Sequence, residues 1–223
     1  MGKLIVIEGT DGSGKATQTG LLYERLGRMG INTRRLEFPR YSEESSALVR
    51  LYLSGAFGSR PDDVNAYASS TFFAVDRFAS FKQDWGGFYK NGGIVVTDRY
   101  TTSNAVHQAP KLPEEERKEY VSWLFDLEYN LMELPRPDLV IYLDMPADVS
   151  EKLLHMRQEK TRTRADIHEE DEKYLKRCRE CSLFTAKQYG WHVVDCARFG
   201  SPRTVEDIHT EVFSLVKNFL EVE

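Results

Sequence analysis

The chain has 223 residues, a length that fits one α/β domain or at most two small ones, and 41% of its residues are hydrophobic. The formal net charge of −5 provides no overall basic surface for a nucleic acid, and no apolar stretch approaches the roughly 18 residues of a membrane span. The three cysteines, an odd number, favour reduced thiols over a disulfide framework.

These features predict a cytoplasmic protein with neither a nucleic-acid partner nor a membrane segment. The N-terminus leads at once into a predicted strand, so no signal peptide is expected. The histidines are not spaced as zinc ligands, and no zinc site is expected either.

Short apolar runs alternate with helical patterns along the whole chain. Strands are predicted at 4–8, 33–38, 93–97, 138–143 and 191–195, and helices at 14–28, 43–54, 62–84, 114–133, 147–157, 168–189 and 204–221. This alternation predicts a five-stranded parallel sheet flanked by helices, with right-handed crossovers. Because no linker or internal repeat is visible, residues 1–223 are expected to form a single domain.

The first predicted strand runs directly into a glycine-rich motif that reads Gly9-Thr10-Asp11-Gly12-Ser13-Gly14-Lys15. Backbone N–H groups in such a turn point inward, and the N-terminus of the following helix adds partial positive charge. The motif therefore predicts a phosphate-binding loop in which the lysine reaches the β- and γ-phosphates. The position after Lys15 departs from this pattern, because Ala16 stands where a metal-binding Ser or Thr is expected and Thr17 comes one residue late.

The second strand ends in Phe38-Pro39-Arg40-Tyr41, where Arg40 could contact a second phosphate. In the helix predicted at 62–84, Phe73 and Arg77 are four residues apart and share one face. Side chains with that spacing could stack on an aromatic base and hydrogen-bond to its edge. Taken alone, the spacing favours a core phenylalanine beside a solvated arginine.

Asp98 and Arg99 directly follow the third predicted strand. An acidic residue at the carboxyl end of a parallel strand is where nucleotide-binding proteins with this loop hold Mg²⁺ and its waters. The arginine offers a planar fork for phosphate. The simpler alternative is a surface ion pair.

Residues 157–164, between two predicted helices, contain three arginines and no apolar residue. Such a segment could be a mobile basic lid over phosphates or an ordinary exposed loop. The phosphate-binding loop in the same chain favours the lid.

Taken in order along the chain, these motifs resemble the thymidylate kinases, which transfer the γ-phosphoryl group of ATP to dTMP. The resemblance covers essentially the whole chain. It rests on Ile7 through Lys15 with Thr17-Gln18, Phe38 through Tyr41, Phe73 through Arg77, Asp98-Arg99-Tyr100 through Ser103-Asn104-Ala105, Pro137 through Leu143, and Asp166 through Glu169.

The resemblance implies a P-loop fold, Mg²⁺ as cofactor, ATP and dTMP as substrates, and a homodimer formed through the helix at 62–84. It implies that ATP binds at Gly9, Asp11, Gly12, Ser13, Gly14, Lys15, Ala16 and Thr17, with residues 197–204 near the adenine. It places dTMP at Asp11, Phe38, Arg40, Tyr41, Phe73, Arg77, Arg99, Ser103, Asn104 and His107. In that arrangement Phe73 stacks on thymine, Arg77 donates to its O4, Asn104 faces N3, and Arg40 and Arg99 hold the phosphate.

The catalytic residues implied by the resemblance are Lys15, Asp98, Arg99, Arg157, Arg162 and Arg164, with Asp11, Asp98 and Glu169 near the metal. Because neither Gly12 nor Ser13 is basic, the transition-state cations are expected in a lid at about 157–167. His107 replaces a usual tyrosine near the sugar, which leaves the strictness of deoxyribose selection open. Ala16 leaves a second possibility open, a nucleotide sensor without transfer activity, and a kinase for another nucleotide or a deoxynucleoside is a third.

Overall fold

Five parallel strands form the central sheet, in the spatial order β2-β3-β1-β4-β5. The structure is a computed structural model. It describes residues 1–161, 167–168 and 172–222, except for the side chains of residues 155, 157–161 and 172. The strands are β1 Lys3–Gly9, β2 Thr33–Glu37, β3 Ile94–Asp98, β4 Leu139–Asp144 and β5 His192–Asp195. The predicted strands and the predicted sheet are thus confirmed.

Strand β1 lies at the centre of the sheet and is covered on both faces. Leu4 and Val6 belong to one buried cluster and Ile5 and Ile7 to the other, as the alternation of side chains along a strand requires. Since both faces are covered, the strand is a continuous apolar run. Each fully buried aliphatic side chain contributes about 1.5–3 kcal/mol.

The helices of the described residues cover both faces of this sheet. They are α1 Lys15–Arg28, α2 Ala47–Leu53, α3 Ala66–Ser80, α4 Gly86–Lys90, α5 Thr101–His107, α6 Glu114–Phe125, α7 Ala147–Thr161, α8 Glu172–Tyr189 and α9 Val205–Leu220. A π-helical turn, Phe81–Trp85, joins α3 to α4, and another, Asp126–Leu131, follows α6. A short hairpin, β6 Ala197–Arg198 and β7 Ser201–Pro202, precedes α9. Within the described part of the chain, no helix is long and apolar enough to cross a membrane.

Several helices differ from the predictions. Helix α7 continues to Thr161 rather than ending at 157, and α8 begins at Glu172 rather than at 168. Helix α3 begins at Ala66 rather than at residue 62, because the side chain of Asn65 caps it by accepting a 2.8 Å hydrogen bond from the Ala68 backbone N–H. Helix α5 is absent from the predicted elements. All of its residues are buried, so its sequence shows no amphipathic period.

The register of the sheet brings the predicted site segments together. Ile7 of β1 lies opposite Asp98 of β3 on one side and Ile141 of β4 on the other. Glu37, at the end of β2, also lies opposite Asp98. The glycine-rich loop, the Phe38–Tyr41 segment and Asp98-Arg99 therefore all leave the same carboxyl edge of the sheet.

Candidate active site

A cleft of about 500 Å³ opens at this carboxyl edge. Residues from the glycine-rich loop, the segment after β2, and helices α3 and α5 line it, together with His168. All of the predicted dTMP-site residues except Arg40 are among the lining residues: Asp11, Phe38, Tyr41, Phe73, Arg77, Arg99, Ser103, Asn104 and His107. The structure thus gathers side chains that lie far apart in the sequence, whereas their roles stay predictions.

The glycine-rich loop depends on glycine at position 12. Gly12 has a φ of 80°, and a Cβ there would lie 2.6 Å from the carbonyl oxygen of Ser150. Helix α1 starts immediately after the loop with neither a side-chain cap nor an acidic residue in its first turn. Its N-terminal N–H groups are thus available to an anion.

Lys15 is buried at the start of α1. Its Nζ donates to the Thr10 carbonyl at 2.9 Å and lies 3.9 Å from the Asp11 carboxylate. Burial and the nearby charge of Arg99 lower the pKa of Lys15. The loop also holds the Ser13 hydroxyl, which is buried and has no hydrogen-bond partner among the described residues. Ala16 and Thr17 are exposed on the first turn of the helix.

Arg99 joins the loop to helix α5. Its Nη2 donates to Asp11 Oδ1, and its Nη1 hydrogen-bonds to His107 Nε2 at 2.8 Å. Although burial raises the pKa of Asp11, the charges of Arg99 and Lys15 hold that pKa well below its usual value. The Asp11 carboxylate is therefore ionised, and Arg99 is held at the bottom of the cleft.

His107 is a neutral imidazole in this arrangement. A guanidinium can only donate, so Nε2 of His107 is the acceptor and its proton is on Nδ1. Its ring stacks on His168 with centroids 5.7 Å apart, and burial together with Arg99 lowers the pKa of His107 well below its usual value. Burial and the charge of Lys111 lower the pKa of His168 to about 3. Both rings therefore carry no charge at neutral pH.

The wall of the cleft farther from the loop carries Phe73, Arg77 and Asn104. The Phe73 ring is half-buried and packs edge-on against Tyr52, with centroids 6.2 Å apart. The Asn104 Nδ2 donates to the Ser70 carbonyl at 3.2 Å, which leaves its Oδ1 as an acceptor. Arg77 is only 2% exposed, so the alternative of a solvated arginine is wrong.

The guanidinium of Arg77 is held by Glu128, a residue without a predicted role. Nε and Nη2 of Arg77 donate to the Glu128 carboxylate at 2.7 and 2.5 Å. Glu128 gives no sequence signal, because an acidic residue in a helical segment is most often solvated.

Glu8 is a second residue without a predicted role. It is completely buried and accepts hydrogen bonds from the hydroxyls of Thr102 and Ser103 at 2.8 and 2.7 Å. Burial raises its pKa. An ionisable residue within an apolar strand is unusual, and this position of Glu8 could have indicated a functional role from the sequence alone. Glu8 ties the end of β1 to helix α5.

Arg40 lies beside the cleft rather than in its lining. Its backbone N–H donates to Asp76 at 2.8 Å, and its Nη1 lies 3.7 Å from Asp84. Its Nε and Nη2 are buried and have no hydrogen-bond partner in the described part of the chain. Since its neighbours Pro39 and Tyr41 do line the cleft, an anion bound there could take these two donors.

Asp98 is the carboxylate best suited to Mg²⁺. Its Oδ1 is buried without a partner among the described residues, whereas Asp11 is engaged by Arg99. Within the described part of the chain, no cluster of three His, Cys, Asp or Glu side chains could enclose a metal ion. Mg²⁺ in kinases commonly binds through one or two carboxylates, with phosphates and waters as the other ligands, so this arrangement fits the ion.

Several of the predicted catalytic and metal-site residues lie outside the described residues. Arg162, Arg164 and Glu169 are among them, and so is the side chain of Arg157, whose backbone belongs to α7. Residues 157–161 of the predicted lid belong to helix α7 rather than to a loop, and the lid's role stays a prediction.

The fold and the loop together define the class of protein. A central parallel strand leads through a glycine-rich turn, which carries a buried lysine, into an uncapped helix, and an acidic residue ends the neighbouring strand. This is the arrangement of P-loop nucleotide-binding proteins.

Comparisons with known proteins narrow the class to a family. The thymidylate kinase family model matches residues 7–212. The thymidylate kinase of Mycobacterium tuberculosis is 32% identical over 190 residues, which cover 84% of this chain and 87% of the relative. A probable thymidylate kinase of Thermococcus onnurineus is 31% identical over 218 residues, covering 97% and 98%. A solved thymidylate kinase structure from Candida albicans has the same fold, with a TM-score of 0.68 at 20% identity over 97% of this chain and 92% of that one.

The chain belongs to the thymidylate kinase family. It is therefore a kinase, and the predicted family and P-loop fold are confirmed.

Proposed function

We propose that this protein transfers the γ-phosphoryl group of ATP to dTMP, giving dTDP and ADP, in the cleft between the glycine-rich loop and helices α3 and α5. The observation that carries the proposal is that a phosphate-binding loop and a base-reading wall face one cleft. Neither the sensor nor the kinase for another acceptor has a specific observation in its favour.

The far wall offers the hydrogen-bond pattern that thymine requires. Arg77 presents a donor and Asn104 Oδ1 an acceptor, and these match the O4 carbonyl and the N3–H of thymine. Cytosine has an amino group and an unprotonated ring nitrogen at the same places. Both contacts would then be lost, and each unpaired buried group costs about 1–3 kcal/mol. The half-buried ring of Phe73 supplies the stacking surface.

Charge at the other end of the cleft supports a phosphorylated acceptor. Arg99 lines the cleft, and Lys15 and Arg40 lie next to lining residues, so all three would oppose the repulsion between ATP and the dTMP phosphate. A phosphate monoester is mostly dianionic at neutral pH, because its second pKa is about 6. Its oxygen attacks without a general base, so we assign Asp98 to orientation rather than to proton transfer.

Asp98 would hold Mg²⁺ directly or through water, with Asp11 and Glu169 nearby. The bound ion would neutralise charge on the β- and γ-phosphates. The chain's own part is to align acceptor and donor, and such positioning supplies most of the catalysis of phosphoryl transfer.

The remaining parts of the proposal come from the sequence. Arg157, Arg162 and Arg164 would stabilise the transition state from a lid at about 157–167 that also excludes water. The chain would form a single domain in the cytoplasm and act as a homodimer. Val75 on α3 is an exposed apolar side chain, and the neighbouring helix α2 exposes Leu48 and Leu51, which fits a dimer interface at α3.

A panel of acceptors tests the proposal. ADP release with Mg²⁺ and ATP is measured for dTMP, dUMP, dCMP, dGMP and thymidine, and without an acceptor. We expect dTMP to be preferred over dCMP, and thymidine to be inactive because it lacks the attacking phosphate. ADP release no faster with dTMP than without an acceptor would refute the proposal, and faster release with another acceptor would identify a different kinase.

A further inference from the structure

Glu128 lies at a position that connects three parts of the acceptor site. It belongs to the π-helical turn Asp126–Leu131 and is completely buried. Both of its oxygens bond to Arg77 of α3, and Oε2 also accepts from the Thr101 hydroxyl at the start of α5, at 2.7 Å. Single π-helical turns within helices are frequent at functional sites.

This bidentate contact determines which part of Arg77 remains for a ligand. Glu128 takes the Nε proton and one Nη2 proton of Arg77, which lines the cleft. Nη1 also donates to the Tyr100 carbonyl across a long 3.4 Å contact. These three hydrogen bonds engage three of the five guanidinium protons, so one proton on Nη1 and one on Nη2 remain without a partner among the described residues. Arg77 thus offers a ligand two N–H donors, one on each Nη, rather than the five of a free guanidinium.

The charge of Glu128 also offsets the cost of burying the charged guanidinium of Arg77. Burial opposes the charged form, but the Glu128 carboxylate raises the pKa of Arg77 above its ordinary value. Removal of the carboxylate would leave the buried guanidinium without its charged partner and free to rotate.

We propose that Glu128 is a positioning residue that sets the base specificity of the enzyme, by fixing the direction in which Arg77 points its remaining N–H donors. The proposal rests on the proposed dTMP kinase activity. Glu128 itself touches no substrate, and its effect passes through Arg77.

The test compares kcat/KM for dTMP and for dCMP in Glu128→Gln. The variant keeps the shape of the side chain but loses the carboxylate that holds both guanidinium nitrogens. We expect the dTMP-to-dCMP ratio to fall by about 5- to 100-fold, the range expected when a buried donor is no longer correctly paired. Thr101→Val, which removes one of the three hydrogen bonds to the carboxylate, should lower the ratio less. Glu116→Gln, an exposed change on α6, should leave it unchanged.

The ratio separates positioning from a general structural role. A variant that is partly unfolded loses active enzyme for both acceptors equally, so its ratio stays at the wild-type value. In an Arg77→Ala background, Glu128→Gln should not change the ratio further, because no guanidinium remains to be positioned.

Two results would overturn the proposal. One is a wild-type ratio in Glu128→Gln, or in Thr101→Val if the glutamine variant yields no folded protein. The other is an additional change of the ratio when Glu128→Gln is added to Arg77→Ala. A wild-type enzyme that releases no ADP with dTMP is a different result, since it refutes the proposed function itself.

Discussion

The two ends of the cleft differ in how completely their polar side chains are already paired. At the base end, Arg77 is held by Glu128 and Asn104 donates to the Ser70 carbonyl. At the phosphate end, Asp98 Oδ1 and two nitrogens of Arg40 are buried without partners among the described residues. The base-reading wall is thus organised before any substrate binds, whereas the phosphate end lacks the charges that substrates bring.

This difference assigns selectivity and turnover to separate regions. A donor held in one direction discriminates between bases because the wrong base leaves it unpaired. Buried polar groups without partners are costly, and in native structures they commonly mark functional sites. Substitutions at the base end should therefore change which acceptor is used, and substitutions at the phosphate end should change how fast any acceptor reacts.

The largest effect is expected from the arginines of the predicted lid. Arg162→Ala or Arg164→Ala should lower kcat by about 10³-fold with little change in KM for dTMP, if that residue acts as an arginine finger. Steady-state kinetics of both single variants and the double variant provide the measurement. Wild-type turnover in all three would show that the phosphate end is complete without a lid arginine.

A smaller effect is expected from the carboxylate that ends β3. Asp98→Ala should lower kcat by about 10- to 100-fold, the usual cost of losing a group that orients a metal and its waters. Ala16→Thr adds one hydroxyl where a water can serve equally well, so it should alter the Mg²⁺ requirement much less than Asp98→Ala does. Turnover measured against Mg²⁺ concentration compares the three proteins. An inactive wild type that Ala16→Thr makes active would favour the sensor instead.

The smallest effect is expected from the stacked histidines. Burial and Arg99 lower the pKa of His107, so this ring gains no proton as the pH falls through the usual histidine range. Between about pH 5.5 and 8, kcat/KM for dTMP should follow the second ionisation of the substrate, near 6, in both wild type and His107→Gln. A titration near pH 6.5 that is present in wild type and lost in the variant would contradict a neutral His107.

Much of the phosphate end could be predicted from the sequence. The loop from Gly9 to Lys15 is a contiguous motif behind an apolar run, and Asp98 follows another such run directly. Signals of this kind are local. The parallel sheet then places the two side by side, because the carboxyl ends of its strands lie on one edge.

Much of the base end could not be predicted from local patterns in the sequence. Helix α5 is buried on every side and therefore shows no period, although it carries Asn104 and His107. Glu128 acts through Arg77, which precedes it by 51 residues, and a long-range contact of this kind leaves no mark on either local sequence. The family resemblance assigned a role to Arg77, but it did not indicate that Glu128 would hold its guanidinium.

The central claim is that the base end determines which acceptor is used and the phosphate end determines the turnover rate. The most direct test is the dTMP-to-dCMP ratio of kcat/KM in Arg77→Ala and in Asp98→Ala, measured beside wild type. We expect Arg77→Ala to lower the ratio by about 5- to 150-fold. Asp98→Ala should lower kcat for both acceptors alike and keep the wild-type ratio. An unchanged ratio in Arg77→Ala, or a ratio that falls as far in Asp98→Ala, would contradict the claim.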